Sequence, residues 1–321
     1  MADMHITVLG SFIADLAFRT DRLPAWGETV LGPEYRLGPG GKGSNQAVAA
    51  ARLGGKVTFI CAVGRDAFGG LARDLWRAEG LDTEFCLEVP DGPTGAAAIV
   101  VHPETGENAI VAVPGASARI TTGDVDRAAA RIARSSVFVT QLELELAVAV
   151  HGLRLAHEAG VRTILNAAPA RALPDHVYRY CDVVTPNESE AAALTGRRVD
   201  GPGGAERAAD DLLARGCRNV VVTLGKDGAL AKNADRTVHV PAFDAGPAVE
   251  TTGAGDAFTG ALAVALAEGL DLFAATRFGC AAAGISVTRH GTARSMPTRE
   301  EVDALLRRSR PRPETFGPPA A

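Results

Sequence analysis

The sequence predicts an α/β fold: a Rossmann-like central sheet, mostly parallel, with helices on both faces, plus a small β-sheet lid. Three observations predict it. Short β-rich runs alternate with stretches of helical spacing along most of the 321 residues, the order expected where crossover helices return the chain to a parallel sheet. Two segments break the alternation and read as strands with no helix between them. Hydrophobic residues make up 46% of the chain, enough to bury a large core.

The elements follow in order. "HITVLGS" (5–11) is the first strand; "SNQAVAAARLG" (44–54) is a helix, "KVTFICAVG" (56–64) a strand and "LARDLWRAEG" (71–80) a helix. The pattern resumes with "SSVFVTQLE" (135–143), "LAVAVHGLRLAHEAG" (146–160) and "VRTILNAAP" (161–169), then "CDVVTPN", "ESEAAALTG", "AERAADDLLARG" and "CRNVVVTLG" (181–225). The C-terminal third is mostly helical. Its run "LFAATRFGCAAAGISVTRHG" (272–291) is rich in small residues, which predicts tight packing or a nearby ligand.

The two interruptions are "WGETVLGPEYRLGPG" (26–40) and "GAAAIVVHPETGENAIVAVPGA" (95–116), the second turning at "PETGEN". Together they would form a small separate sheet, either a lid or dimer surface projecting from the body or an extra antiparallel edge. The proline-rich end, residues 309–321, is expected to be a disordered tail.

Charge and cysteine content exclude several classes. With 33 Lys and Arg against 38 Asp and Glu, the net charge is -5, and no basic block offers a footprint for nucleic acid or an anionic membrane. Cys61, Cys86, Cys181, Cys217 and Cys280 are odd in number and widely spaced, which argues against a disulfide framework or zinc site. Reduced core thiols in a cytoplasmic protein are expected instead. "MADMHITVLGSF" has no basic n-region or apolar h-region, and no 18 consecutive residues are apolar, so no export or membrane partner is expected.

"GPGGKGSN" (38–45) formally matches G-x-G-x-x-G at Gly38, Gly40 and Gly43, with Asp66 some 20 residues on, so a dinucleotide-dependent oxidoreductase has to be weighed. Against it, the first strand ends at Gly10, far upstream of the turn such a fingerprint occupies, and Lys42 inside the turn would crowd a pyrophosphate. A P-loop fails because Arg36 stands where the first glycine belongs and Gly43 follows Lys42. A merely flexible turn remains open, but the cluster also supplies amide donors, a cation and the Asn45 amide to a polyhydroxylated or anionic ligand.

"ETTGAGDAF" (250–258) opens an apolar helix. A helix N-terminus presents unpaired amides and partial positive charge, and glycines let an anion approach Gly253, Ala254 and Gly255 closely. Thr251 or Thr252 could cap the helix, leaving Asp256 free to take a proton from a hydroxyl attacking a phosphate held there. The plainer alternative is an aspartate favourably placed in the helix dipole.

Seven segments in order, "GGKGSNQAVAAARLG", "TQLE", "LNAAPARALPD", "VVTPNESEAAALTG", "VVTLGKDGAL", "TTGAGDAF" and "SVTRHGTARSMP", resemble the ribokinase-like superfamily of sugar kinases. The resemblance runs from His5 to about Arg308. It implies one kinase domain over 1–308, with the lid formed by about 14–38 and 94–115, and an ATP-dependent phosphorylation of the primary hydroxyl of a pentose. D-ribose, giving D-ribose 5-phosphate, is the first choice; 2-deoxyribose or another small sugar is the alternative, and a non-catalytic sugar-binding regulator the distant one.

The resemblance further implies roles. Asp256 would be the general base, with Gly253, Ala254 and Gly255 as anion hole. Ile13, Asp15, Gly41, Lys42, Asn45 and Glu143 would line the sugar site. Asn187 and Glu190 would organise magnesium and the ATP phosphates, and Thr223, Leu224, Gly225, Lys226, Asp227 and Gly228 the nucleotide. A monovalent cation, potassium, would be held by Glu250, Thr252 and Ser295 with carbonyls of Ser286, Arg289 and Gly291. A homodimer through the lid is implied as well. There are departures: Ile13 stands where the family commonly has Asn, Glu250 where Asp is usual, and Cys280 where a polar residue often lies near the adenine.

Overall fold

The computed structural model describes residues 4–104, 107–309 and, as backbone, 314–316. Its central sheet takes β1 (His5–Leu9), β4 (Lys56–Ile60), β9 (Val137–Thr140), β10 (Arg162–Leu165), β11 (Val183–Val184), β12 (Asn219–Thr223), β13 (Ala229–Asn233), β14 (Thr237–Val240) and β15 (Glu314–Phe316). The order is β15-β14-β13-β12-β11-β10-β9-β1-β4. Pairing from β4 through β12 is parallel and turns antiparallel from β12 to β15. The expected disordered tail therefore contributes an edge strand at 314–316, while 310–313 and 317–321 lie outside the described residues.

The strands are apolar on both faces because both are covered. Ile6 and Val8 of β1 enter one buried cluster and Leu9 the other; β12 divides Val221 from Val220 and Val222 in the same way. The first cluster is closed by α1 (Lys42–Arg52), α2 (Ala67–Ala78), α8 (Ala254–Ala267), α9 (Leu272–Ser286) and α10 (Arg299–Arg308). The second is closed by α3 (Thr122–Arg127), α4 (Ala129–Ile132), α5 (Leu146–Glu158), α6 (Glu188–Thr195) and α7 (Gly201–Ala214). Gly260 of α8 lies against α1, where an added Cβ would be 2.6 Å from Ala49 Cβ and 2.8 Å from the Gln46 carbonyl oxygen. The two backbones thus approach closely.

The second sheet has the order β3-β2-β7-β8: β2 (Ile13–Arg19), β3 (Tyr35–Gly40), β7 (Thr94–Val101) and β8 (Asn108–Gly115). It matches the small sheet expected from the sequence, but one strand comes from "IADLAFR" rather than from "WGETV". β5 (Ala62–Gly64) and β6 (Leu87–Val89) form a short separate pair. At the expected "PETGEN" turn, the His102 amide donates to the Glu107 carbonyl at 2.8 Å; Thr105 and Gly106 lie outside the described residues.

Register sorts the side chains of this sheet, since directly opposed residues share a face. Asp15 opposes Gly38 and Ala97, and Ile13 opposes Gly40 and Gly95, so Ile13 and Asp15 point the same way. Leu16 opposes Leu37 and Ala98, Ala98 opposes Val111, and Phe18 opposes Tyr35, on the other face. Among the described residues no helix is long and apolar enough to cross a membrane.

Candidate active site

Strand order changes direction at β1: the chain reaches β4 on one side of it and β9 on the other. In such sheets a crevice opens beyond the carboxyl ends of the strands at that point. Ser11 follows β1, Gln141 and Glu143 follow β9, and Asn166 follows β10, and the helices α1 and α8 begin beside them.

The start of α1 is fitted to β1. An added Cβ on Gly43 would stand 2.6 Å from Gly10 Cα and from the Ser11 amide nitrogen, and Gly41, at φ 86°, makes the turn into the helix. Gly38 and Gly40 belong to β3 and Gly43 to the body of α1. The three glycines of the dinucleotide fingerprint thus do not share a turn. Lys42, expected inside the turn, is the first residue of the helix.

At α8 the expected threonine cap is absent. Gly253, with φ 86°, is the N-cap, and no side chain caps this end. Asp256 is buried in the first turn, where its Oδ2 accepts from Asn45 Nδ2 and its Oδ1 from Gln46 Nε2, each at 2.9 Å. Its carboxylate is therefore held by α1 and does not cap its own helix. Gly255 is exposed, with nothing within 4 Å of an added Cβ, so space opens over this turn. Asn45 Oδ1 is buried without a partner, a free acceptor beside the carboxylate.

Acidic groups crowd this crevice. Burial, followed by the charge of Glu143 and then of Asp256 and Glu250, pushes the Asp15 carboxyl up to about 7 against a donated hydrogen bond from Thr292. Burial opposes the charge of Lys42, but the carboxylates of Asp256, Glu143, Glu190 and Asp15 outweigh it and raise its pKa above the ordinary lysine value. Glu143 Oε2 accepts from the Lys42 amide at 2.9 Å and from the Ser11 hydroxyl. Ile13 is buried, its Cδ1 2.7 Å from where a Cβ on Gly95 would sit. The result is a pocket of acceptors and one buried ammonium, suited to a neutral ligand with several hydroxyls.

Asn187 and Glu190 form a capping box at the start of α6, with Glu190 N to Asn187 Oδ1 and Asn187 N to Glu190 Oε2 both at 2.8 Å. Burial raises the pKa of Glu190, against the pull of the Asn187 amide and Lys42. Asn187 also bridges Thr223, whose amide donates to the Pro186 carbonyl at 2.9 Å, so the 223–228 turn sits beside this box. In that turn Leu224 is buried, Gly225, Lys226 and Asp227 are exposed, and Gly228 (φ 89°) abuts the Val240 carbonyl. Cys280 is buried with its Sγ 4.0 Å from that same carbonyl.

Glu250 Oε2 accepts from the Gly291 amide at 3.0 Å and lies 3.5 Å from His290 Nδ1. Ser286 and Ser295 are buried, the Ser286 carbonyl accepts from the Arg289 amide at 3.1 Å, and Ser295 Oγ donates to the Thr292 carbonyl at 2.8 Å. Glu250, Thr252 and Gly291 line, together with Asp15, an open cleft of about 800 Å³ beneath the small sheet.

The geometry adds side chains that sequence reasoning missed. Gln46, Gln141 and Asn166 surround Asp256 through a chain of amides. Thr292 Oγ1 donates to the Pro39 carbonyl at 2.8 Å, lies 3.4 Å from Asp15 Oδ2, and packs where a Cβ on Gly253 would fall. For Gln46 a signal existed, since it adjoins Asn45 in "GSNQ". For Thr292 none did.

The sequence and the fold are both similar to those of known proteins. A ribokinase of Mus musculus is 41% identical over 306 residues, 94% of each chain. A deoxyribokinase of Salmonella typhimurium is 38% identical over 304 residues, 94% of this chain and 99% of its own. The structure of Arabidopsis thaliana ribokinase complexed with ribose and ATP superposes with a TM-score of 0.88 at 30% identity, over 95% of this chain and 99% of that one. Residues 3–299 match the pfkB family of carbohydrate kinases, and the chain belongs to that family.

Proposed function

We propose that this protein transfers the γ-phosphoryl group of ATP to the primary hydroxyl of a pentose, converting D-ribose to D-ribose 5-phosphate. One observation carries the reading: a buried carboxylate, Asp256, held from α1 at the open, glycine-lined start of α8. The names of the ribokinase relatives and the ribose and ATP of the Arabidopsis complex support the substrates.

In this reading Asp15, Gly41, Lys42, Asn45 and Glu143 hold the sugar hydroxyls, with Ile13 on the pocket wall. Asp256 takes the proton of the primary hydroxyl as its oxygen attacks the γ-phosphorus, and ADP departs. The amides of Gly253, Ala254 and Gly255 receive the charge that develops on the transferred group. Residues 223–228 seat the nucleotide.

Among the described residues no three His, Cys, Asp or Glu side chains converge on a metal position. Asn187 and Glu190 would order the water around magnesium, which would neutralise phosphate charge when bound. The donors Glu250, Thr252 and Ser295, with the carbonyls of Ser286, Arg289 and Gly291, are all oxygen, which fits a hard monovalent cation such as potassium. The small sheet acts as a lid whose closure keeps water from competing with the sugar.

The outer face of that sheet exposes Phe18, Tyr35, Leu37, Val111 and Val113, a contiguous apolar surface suited to a homodimer. Val111→Lys should shift sedimentation from dimer to monomer; a wild-type monomer at all concentrations refutes this part. Phosphorylation of 2-deoxyribose is a second reading, favoured by the apolar Ile13 beside Asp15. An ADP-release assay with magnesium and potassium across D-ribose, 2-deoxyribose, fructose and nucleosides tests both. Turnover with none of them would leave a non-catalytic sugar-binding regulator.

A further inference from the structure

The amide of Gln46 is fully buried, and each of its polar atoms has a partner. Nε2 donates to Asp256 Oδ1 at 2.9 Å and to Asn166 Oδ1 at 3.0 Å, while Oε1 accepts from Gln141 Nε2 at 2.6 Å. Asn166 is anchored in turn, its Nδ2 donating to the Thr185 carbonyl at 2.9 Å. These partners fix which way the Gln46 amide points. A flipped amide would set Oε1 against two acceptors and Nε2 against the Gln141 donor, and such unpaired buried groups are costly.

The chain of amides runs from the ends of β9 and β10, through α1, to α8, so the sheet itself sets the plane of the Asp256 carboxylate. Asn45 alone would leave that carboxylate one bond about which to turn. Proton transfer demands that the acceptor lone pair meet the hydroxyl, and small misplacements there are expensive. We propose that Gln46 is a positioning residue for phosphoryl transfer, orienting the Asp256 carboxylate through a locked amide that Gln141 and Asn166 hold in place. This rests on the reading of Asp256 as proton acceptor.

The test is Gln46→Met, which keeps the length and approximate volume but removes both donors. With D-ribose, ATP, magnesium and potassium, kcat should fall roughly 10²-fold, while KM for both substrates and calorimetric ribose affinity stay within about threefold, a margin of under 1 kcal/mol. A kcat within threefold of wild type, or equal losses in kcat and ribose affinity, overturns the inference. If Gln46→Met does not fold, Gln141→Met, which leaves Gln46 Oε1 without its donor and so loosens the amide that holds Asp256, should lower kcat with KM unchanged; an unaltered kcat there overturns it too. Asp256→Asn separates the two levels. If that variant stays active, the reading of Asp256 fails; if it is inactive while Gln46→Met is not, only the role of Gln46 fails.

Discussion

Asp15 lies directly over Gly40: a Cβ built on Gly40 would come 2.0 Å from Asp15 Oδ2. Gly40 has no positive φ, so alanine there is not strained by its backbone and acts only through this contact. Gly40→Ala should displace the Asp15 carboxylate and raise KM for the sugar by about tenfold, equivalent to about 1.4 kcal/mol, leaving KM for ATP unchanged. Steady-state kinetics read both. An unchanged sugar KM would remove Asp15 from the sugar site.

Asp256→Asn should reduce kcat by about 10²–10⁴-fold with ribose and ATP binding retained by calorimetry. Asparagine still meets one of the two amides that hold the carboxylate but cannot take a proton. Retention of more than about a tenth of the wild-type rate would show that another group accepts it.

Asp15 also predicts a pH dependence of stability. Its folded-state pKa of about 7 is raised from 3.8 by burial and by Glu143, so between those values the folded chain holds a proton that the unfolded chain has lost. The contribution of this group is therefore full below the unfolded pKa and is lost as pH rises toward 7. Asp15→Asn removes the loss, and its melting temperature should gain on wild type between pH 5 and 8 as pH increases. A constant gap across that range would contradict the assignment.

Ile13 shares a face with Asp15 and packs on Gly95. An apolar wall there leaves a facing hydroxyl desolvated, at a cost of about 1–3 kcal/mol. Ile13→Asn should raise the ratio of kcat/KM for ribose over 2-deoxyribose by about tenfold. An unaltered ratio would place the discriminating hydroxyl elsewhere.

Activity should rise when sodium or lithium is replaced by potassium at matched ionic strength, because an ion among the oxygens of Glu250, Thr252 and Ser295 would order the loop leading into α8. Equal rates in the three salts would count against a cation there.

The layered body was legible because both signals behind it are local. Short continuous apolar runs and period-3.6 helices survive in a single window, and so did the glycine-lined start of α8. The partners of Asp256 were not legible, since Gln46 lies 210 residues away in sequence and nothing within α1 indicates which helix it will face. The cap of α8 was misread for a physical reason: threonine is a good cap by propensity, but at φ 86° the position admits glycine far more readily. The small sheet was foreseen as a unit, yet "IADLAFR" was not marked as a strand, its apolar and small residues giving weak alternation.

The glycine at position 260 has a consequence for how this enzyme could be altered. By letting α8 lie against α1, it places Asn45, Gln46 and Asp256 on one rigid block, whereas Ile13 and Asp15 are carried by β2. In the proposed reading one wall of the sugar site, Ile13 and Asp15, is thereby carried apart from Asp256, while Asn45 grips the same sugar from the reactive block. The four-stranded sheet is in effect a cassette: exchanging it for that of a relative with a different sugar preference should redirect substrate choice while the reactive apparatus beneath it is inherited intact.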